Sequence, residues 1–282
     1  MPAPRLIFID IDGTLVGSSG TVDAAVWTQV EVVRTAGVRL AICSGRPAFG
    51  VAGEYARRLD EHGWHVFQNG ASVLDLASRE SRSTTLPAGA VDALVARARR
   101  WGFTLELYGD TDYLVESGVH DDRDRAIRHA ALLDIPYRPG TLAAAGGLLS
   151  GRPVRAQWLI ASDDVSVVRS DLVPGTHLVT ASAPAMPDTV FASVVATGVD
   201  KVHAVRTVAA AHGVDLARTM FVGDGANDAA AISAVREAGG WGVAMANADP
   251  AALLAAYYTV GHVDHGGLIE ALQLALDAGA GH

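Results

Sequence analysis

Near its amino end the chain carries a short apolar run, Arg5 to Ile11, that breaks off at the turn residues Asp12 and Gly13. A run of that length, rich in Ile and Phe, predicts a buried strand. Helical spacing follows from Asp23 to Thr35, Gly37 ends that helix, and a second apolar run from Val38 to Cys43 predicts another strand. Two neighbouring strands joined by a helix run parallel, because the crossover carries the chain back to the edge it left. This unit commits the chain to an α/β architecture, in which ligands gather beyond the carboxyl ends of the strands.

The same grammar extends and then returns. A helix is expected from Pro47 to Glu61 and a strand from His65 to Gln68, closed by Asn69 and Gly70. Near the end, Lys201 to His212 reads as a helix, Thr219 to Val222 as a strand, Ala229 to Ala238 as a helix and Gly242 to Met245 as a last strand. Between Ser83 and Pro187 the pattern changes to isolated strands and helices with a Gly-rich stretch at Gly146 to Gly151, which an inserted domain explains most economically. The expectation is a doubly wound parallel-sheet core, Rossmann-like, built from residues 1–82 and 188–282, with an inserted α/β cap over 83–187. Asp277 to His282 reads as a frayed tail.

Composition bounds the function. Half of the 282 residues are hydrophobic and 19% are charged, enough apolar material for a sizeable core and too little charge for a disordered chain. A formal net charge of -9 repels polyanions, so no nucleic-acid partner is expected and any phosphate site must be locally positive. One cysteine, Cys43, cannot form an internal disulfide, and the run from Leu6 to Ile11 is too short for a signal peptide or a membrane span. The expected address is therefore the cytoplasm, with no membrane partner.

The chemistry concentrates where strands end. Asp10-Ile11-Asp12-Gly13-Thr14 places two carboxylates beyond the first strand, and Gly13 permits a sharp backbone exit. A second acidic turn, Gly223-Asp224-Gly225-Ala226-Asn227-Asp228, follows a later strand. Hard oxygen ligands from two strand ends suit Mg²⁺, which commonly takes one or two carboxylates, waters and a substrate phosphate. Taken alone, Asp224 and Asp228 are equally well read as helix caps. Ser44-Gly45-Arg46 follows the second strand, and Lys201, the one lysine beside 21 arginines, stands shortly before the second acidic turn.

In that order the motifs resemble the haloacid dehalogenase superfamily of phosphatases: DIDGT at Asp10 to Thr14, SGR at Ser44 to Arg46, Lys201, and GDGANDAA at Gly223 to Ala230. Asn69-Gly70-Ala71, GVAMANA at Gly242 to Ala248, and His265-Gly266-Gly267 are similar to its Cof-type branch, which carries a subclass IIB α/β cap between the second and third motifs. The resemblance implies a Mg²⁺-dependent phosphomonoesterase acting on a small phosphorylated metabolite such as a sugar phosphate. Asp10 would be the nucleophile that forms an aspartyl-phosphate, and Asp12 the general acid and base, which also lends a backbone carbonyl to the metal. Asp10, Asp224 and Asp228 would complete the metal site. Ser44, the amides around Gly13 and Gly45, and Asn227 would hold phosphate oxygens, with Lys201 neutralising charge on the transferring group.

Two departures stand out. Asp200-Lys201-Val202 replaces the usual Ser-Lys-Gly, and Ala229 to Ile232 replaces a helix start containing methionine. A phosphomutase using the same intermediate and a catalytically weak binding protein on the same fold are the alternatives. Lys201→Arg is expected to leave stability within ~0.5 kcal/mol of the parent and to lower the rate severely. Cys43 reads as a small buried hydrophobe, His262 and His265 as solvated loop residues, and Arg46 as a group that orients the second motif or bridges surface acids. Arg123, Arg125, Arg128 and His129 read as a solvated helix face, and the scattered Trp27, Trp64, Trp101, Trp158 and Trp241 as packing residues.

Overall fold

The structure is a computed structural model that describes residues 1–116, 123–140, 151–183 and 185–280. Residues 146–150 of the expected Gly-rich stretch and the last two residues of the expected tail lie outside the described residues. The chain divides into two compact units, one made of residues 1–45, 54–82 and 200–282, the other of 46–53 and 83–199.

The first unit begins with β1 (Leu6–Ile9), whose four residues are fully buried, as a strand covered on both faces must be. Helix α1 (Ala24–Thr35) follows, capped by Asp23, whose carboxylate accepts the Ala25 amide at 2.8 Å. It buries Val26, Trp27, Val30 and Val33, a stripe at helical spacing. The chain returns in β2 (Arg39–Ile42), passes through α2 (Val51–Asp60), of which residues 54–60 belong to this unit, and turns back on itself in the antiparallel pair β3 (Trp64–Phe67) and β4 (Ser72–Asp75).

The second unit holds α3 (Ala90–Trp101), β5 (Thr104–Tyr108), β6 (Tyr113–Glu116), α4 (Arg123–Leu132), β7 (Pro139–Gly140), β8 (Arg155–Ile160), α5 (Val165–Ser170), β9 (Thr176–Ala183) and β10 (Met186–Ala196). Among the described residues its six strands form one sheet in the order β7-β6-β5-β8-β10-β9, antiparallel except for the β6–β7 pair. Leu105, Leu107, Ala156, Trp158 and Ala192 alternate with polar residues along these strands and pack with Leu94, Val95 and Ala98 of α3.

From Asp200 the chain is back in the first unit with α6 (Lys201–Ala211), β11 (Thr219–Gly223), α7 (Ala229–Glu237), β12 (Trp241–Met245), α8 (Pro250–Ala255), β13 (Tyr258–Val260) and α9 (Gly267–Ala280). Its main sheet is wholly parallel, in the order β13-β12-β11-β1-β2. The chain leaves β1 in one direction toward β2 and fills the other side later, so the switch of strand order falls beside β1, where a crevice opens at the carboxyl edge.

Several expectations need correction. The return to the first unit comes at Asp200 and not at 188, because β10 runs on to Ala196 and pairs with β8 and β9. Helix α2 begins at Val51, four residues after Pro47, behind Gly50 in the left-handed region at φ +67°. The strand at Gly242 to Met245 is not the last, since β13 adds a three-residue edge. The expected tail is largely helical, α9 reaching Ala280 and burying Leu268, Ala271, Leu272 and Ala275. His129 is buried rather than part of a solvated face, although Arg128 of the same helix is exposed and pairs with Asp188 at 2.8 Å.

Candidate active site

All the candidate site residues lie in the first unit, where β1 and β11 stop side by side. The Asp10 amide donates to the Val222 carbonyl at 3.0 Å, so ladder bonding carries Asp10 just past the end of β1 with its side chain buried. The chain then turns at Gly13, whose φ of +80° suits glycine, and a Cβ there would fall inside the Asp224 carboxylate. Two acidic loops can approach this closely only because no side chain stands between them.

Lys201 is the centre of charge. It is the first residue of α6 and only 3% exposed, and its Nζ donates to Asp10 Oδ1 at 2.7 Å and to Asp228 Oδ1 at 2.5 Å. Burial by itself would push the ammonium's pKa down, but the Asp10 and Asp228 carboxylates outweigh it and hold the pKa above its ordinary value. Asp200, which replaces the usual serine, caps α6 by accepting the His203 amide at 2.7 Å. The substitution therefore keeps a capping residue and leaves the lysine in place.

Asp228 opens α7 yet makes no side-chain cap bond. Besides Lys201, its carboxylate accepts the Gly225 amide at 2.9 Å, and the side chain is fully buried. Asp224 is not a cap either. Its Oδ1 accepts the Thr14 hydroxyl at 2.9 Å, and its Oδ2 faces Asn247 Nδ2 at 3.4 Å. Asp10, Asp224 and Asp228 each bring a carboxylate oxygen within 4.8 Å of the others, the one such metal-binding group among the described residues. Lys201 bonds two of the three carboxylates and Asp224 has only neutral partners, so the group is short of positive charge. Burial, followed by the nearby Asp228 charge, pushes Asp10 well above the usual carboxylate range. Asp224 is pushed up to about 6, chiefly by burial and against the Thr14 hydrogen bond. A crowded set of hard oxygens with too little counter-charge is donor chemistry that fits a hard divalent cation.

The other expected residues surround this group. Asp12 is exposed, and its carboxylate is outside the set of three. Ser44 is buried, its amide donating to Val66 O at 3.0 Å, with half-buried Gly45 beside it. Asn227 is exposed on the second acidic loop and donates from Nδ2 to Asn69 Oδ1 at 3.0 Å. Cys43 is fully buried, and burial raises its thiol pKa further, so it is a packing residue.

Sequence reasoning passed over Thr14, Asn69 and Asn247 as functional residues, although each stood inside a motif it had quoted. Asn247 Nδ2 donates to Gly13 O at 2.8 Å while its Oδ1 accepts the Val263 amide at 2.9 Å, tying the first acidic loop to the segment before α9. Polar residues that serve other polar residues have no periodic signature, and only their recurrence within site motifs could have marked them.

The chain matches a family model described as haloacid dehalogenase-like hydrolase over residues 7–134 and 183–272. It is 26% identical to the Bacillus subtilis protein named "Putative phosphatase YxeH", over 93% of this chain and 95% of that one. A haloacid dehalogenase-like hydrolase from Bacteroides thetaiotaomicron superposes with a TM-score of 0.81 at 24% identity, covering 96% of this chain and 99% of the other. The subclass IIB sugar phosphatase BT4131 gives 0.76 at 21% identity, covering 96% and 98%. Those two likenesses carry the fold, and the family model spans both halves of the acid and lysine site. The chain belongs to the haloacid dehalogenase-like hydrolases.

Proposed function

We propose that this chain is a Cof-type, Mg²⁺-dependent phosphomonoesterase that works through an aspartyl-phosphate on Asp10. The observation that carries the reading is the buried Lys201 ammonium held between Asp10 and Asp228, with the Asp224 carboxylate close by. A lysine placed only for surface charge would lie in solvent, and acids placed only as caps would bond to helix amides. Here the lysine and two of the acids bond one another, and the third acid lies beside them.

Asp10 attacks phosphorus through a carboxylate oxygen, and the bond from phosphorus to the ester oxygen breaks as Asp12 delivers a proton to the leaving alcohol. Asp12 then takes a proton from water, whose oxygen attacks phosphorus and breaks its bond to Asp10, releasing inorganic phosphate. The exposure of Asp12 suits a group that must meet the leaving group and the water. Ser44, the amides around Gly13 and Gly45, and Asn227 hold the non-bridging oxygens, and Lys201 balances their charge while keeping Asp10 aimed. Mg²⁺ would be held by Asp10, Asp224 and Asp228 with the Asp12 carbonyl, and it supplies the positive charge that lets a phosphate approach three acids.

The substrate is a small phosphorylated metabolite such as a sugar phosphate, and the segment 83–199 is the cap that selects it. The cytoplasm is the proposed compartment, in keeping with a single buried cysteine. No helix among the described residues is long and apolar enough to cross a membrane. Phosphate release from a panel of phosphorylated metabolites, with Mg²⁺ and with excess chelator, tests the reading. Mg²⁺-dependent release from at least one small phosphomonoester is expected. Isomerisation of sugar phosphates without net release, or metal-independent turnover, would overturn it.

A further inference from the structure

Residues Gln68, Asn69 and Gly70 form three successive left-handed positions, at φ 54°, 55° and 98°. Two of the three are not glycine, and non-glycine residues adopt this region at a cost in local strain. Such strain persists only where the surroundings over-determine it, and here they do. The Asn69 amide donates to the Ser44 carbonyl at 3.0 Å, and Asn69 Oδ1 accepts from Asn227 Nδ2 at 3.0 Å. The same side-chain amide lies against Gly45, where an added Cβ would sit 3.2 Å from both its oxygen and its nitrogen. Gly70 presses on α6 from the other side, since a Cβ there would overlap the carbonyl of Asp200, the residue before Lys201.

One strained turn thus touches Ser44, Gly45 and Asn227, which come from two distant parts of the sequence, and abuts the start of the helix that carries Lys201. We infer that Asn69 is a positioning residue that sets the separation of the Ser44-Gly45 and Asn227 loops, and so fixes the width of the grip on the phosphoryl oxygens. The inference rests on the reading of this site as a phosphate-handling centre. Asn69 approaches no acid of the metal group in any of its hydrogen bonds, so its loss weakens the hold on phosphate and leaves metal binding intact.

The test compares the parent protein with Asn69→Gly and Asn69→Ala. Glycine accepts the left-handed backbone and removes only the side chain, so Asn69→Gly is expected to fold with a melting temperature near the parent's, relief of backbone strain offsetting the lost Asn227 hydrogen bond and the freer unfolded chain. Its KM for p-nitrophenyl phosphate and its inhibition constant for inorganic phosphate should both rise on the order of 10- to 100-fold, the scale of loss when reacting groups are mispositioned by about 1 Å. The Mg²⁺ concentration giving half-maximal thermal stabilisation should stay at the parent value. Asn69→Ala should show the same weakened phosphate binding and lower stability, because alanine is strained at this φ. Parent-like phosphate affinity in Asn69→Gly would overturn the inference while leaving the phosphatase reading intact. If the parent itself neither hydrolyses p-nitrophenyl phosphate nor binds phosphate, the reading beneath it falls and this inference with it.

Discussion

In the first unit the buried Lys201 ammonium sits between the carboxylates of Asp10 and Asp228 at the edge of a parallel sheet. The second unit instead buries the Glu106 carboxylate in mid-sheet, where it accepts from Tyr108 Oη at 2.7 Å, pairs with His129 Nδ1 at 2.9 Å and accepts from Gln157 Nε2 at 3.1 Å. Ser193 then donates to Gln157 Oε1 at 3.0 Å, closing the network. The second arrangement is locally complete, with partners supplied by the neighbouring strands β8 and β10 and by α4 over them. The first has three acids to one ammonium and no further basic side chain hydrogen-bonded to them among the described residues. A satisfied network rigidifies a core, whereas a pocket left short of counter-charge is built to receive something.

The largest expected effect breaks the site in the first unit without breaking its fold. Asp10→Asn should lower turnover on the order of 10⁴-fold or more, as removal of a nucleophile does, with a melting temperature at or above the parent's because a buried carboxylate is replaced by a neutral amide. Phosphate-release kinetics and calorimetry together check it. Near-parent turnover in a folded Asp10→Asn protein would put Asp10 outside the mechanism.

Lys201 comes next. Removing it in Lys201→Ala strands two buried carboxylates, so stability should fall by about 3–5 kcal/mol together with the rate. The sequence alone suggested that Lys201→Arg would be silent for stability. A side chain 3% exposed changes that, because a larger planar guanidinium must be forced into the slot at about 1–3 kcal/mol. Urea unfolding separates the two variants, and parent-like stability for Lys201→Ala would show the ion triad to be energetically idle.

The first unit also buries an ionisable group with no place in the chemistry. His65 in β3 accepts the Ile42 amide at Nδ1 at 3.1 Å and meets the Asp60 carbonyl at Nε2 at 2.9 Å, so its neutral ring is fully used. Burial pushes its pKa down to about 4 against smaller opposing contributions from Asp60. Because the folded pKa lies below the unfolded value of about 6.5, the stabilisation is complete above pH 6.5 and is lost as pH falls toward 4, about 3 kcal/mol in all. Urea midpoints across that window should decline more steeply for the parent than for His65→Gln. Equal slopes would contradict the burial argument.

The smallest effect belongs to the second unit. Glu106→Gln keeps the shape but offers one acceptor oxygen where Tyr108, His129 and Gln157 now converge, and should cost about 1–3 kcal/mol by urea unfolding. An unchanged midpoint would mean that the network contributes little to the stability of this unit.

What could be read from sequence follows the same division. β1, α1 and β2 announced themselves because a parallel core gives continuous apolar runs and a helical stripe bounded by Asp23 and Gly37. The acids and Lys201 announced themselves because they stand at fixed places after those runs. β13 is too short for any period to register, and α9 was missed because its run of Ala, Leu and Gly ended in what resembled a loose tail. In the second unit, Glu106 lies in the alternating strand Thr-Leu-Glu-Leu-Tyr, where pattern alone places an acid on a wet face. Its burial depends on α4 covering that face, a tertiary fact without local trace. The misreading of His129 has the same cause.

An aspartyl-phosphate on Asp10 can be caught by trapping the phosphoryl group on the protein. The enzyme would be mixed with p-nitrophenyl phosphate and Mg²⁺, quenched in acid within the first turnover, digested and examined by mass spectrometry. Phosphate is expected on the peptide containing Asp10, located at Asp10 by fragmentation, and lost when the quench is delayed until substrate is exhausted. Phosphate on another residue, or turnover in which early quenches capture no phosphorylated Asp10, would contradict it.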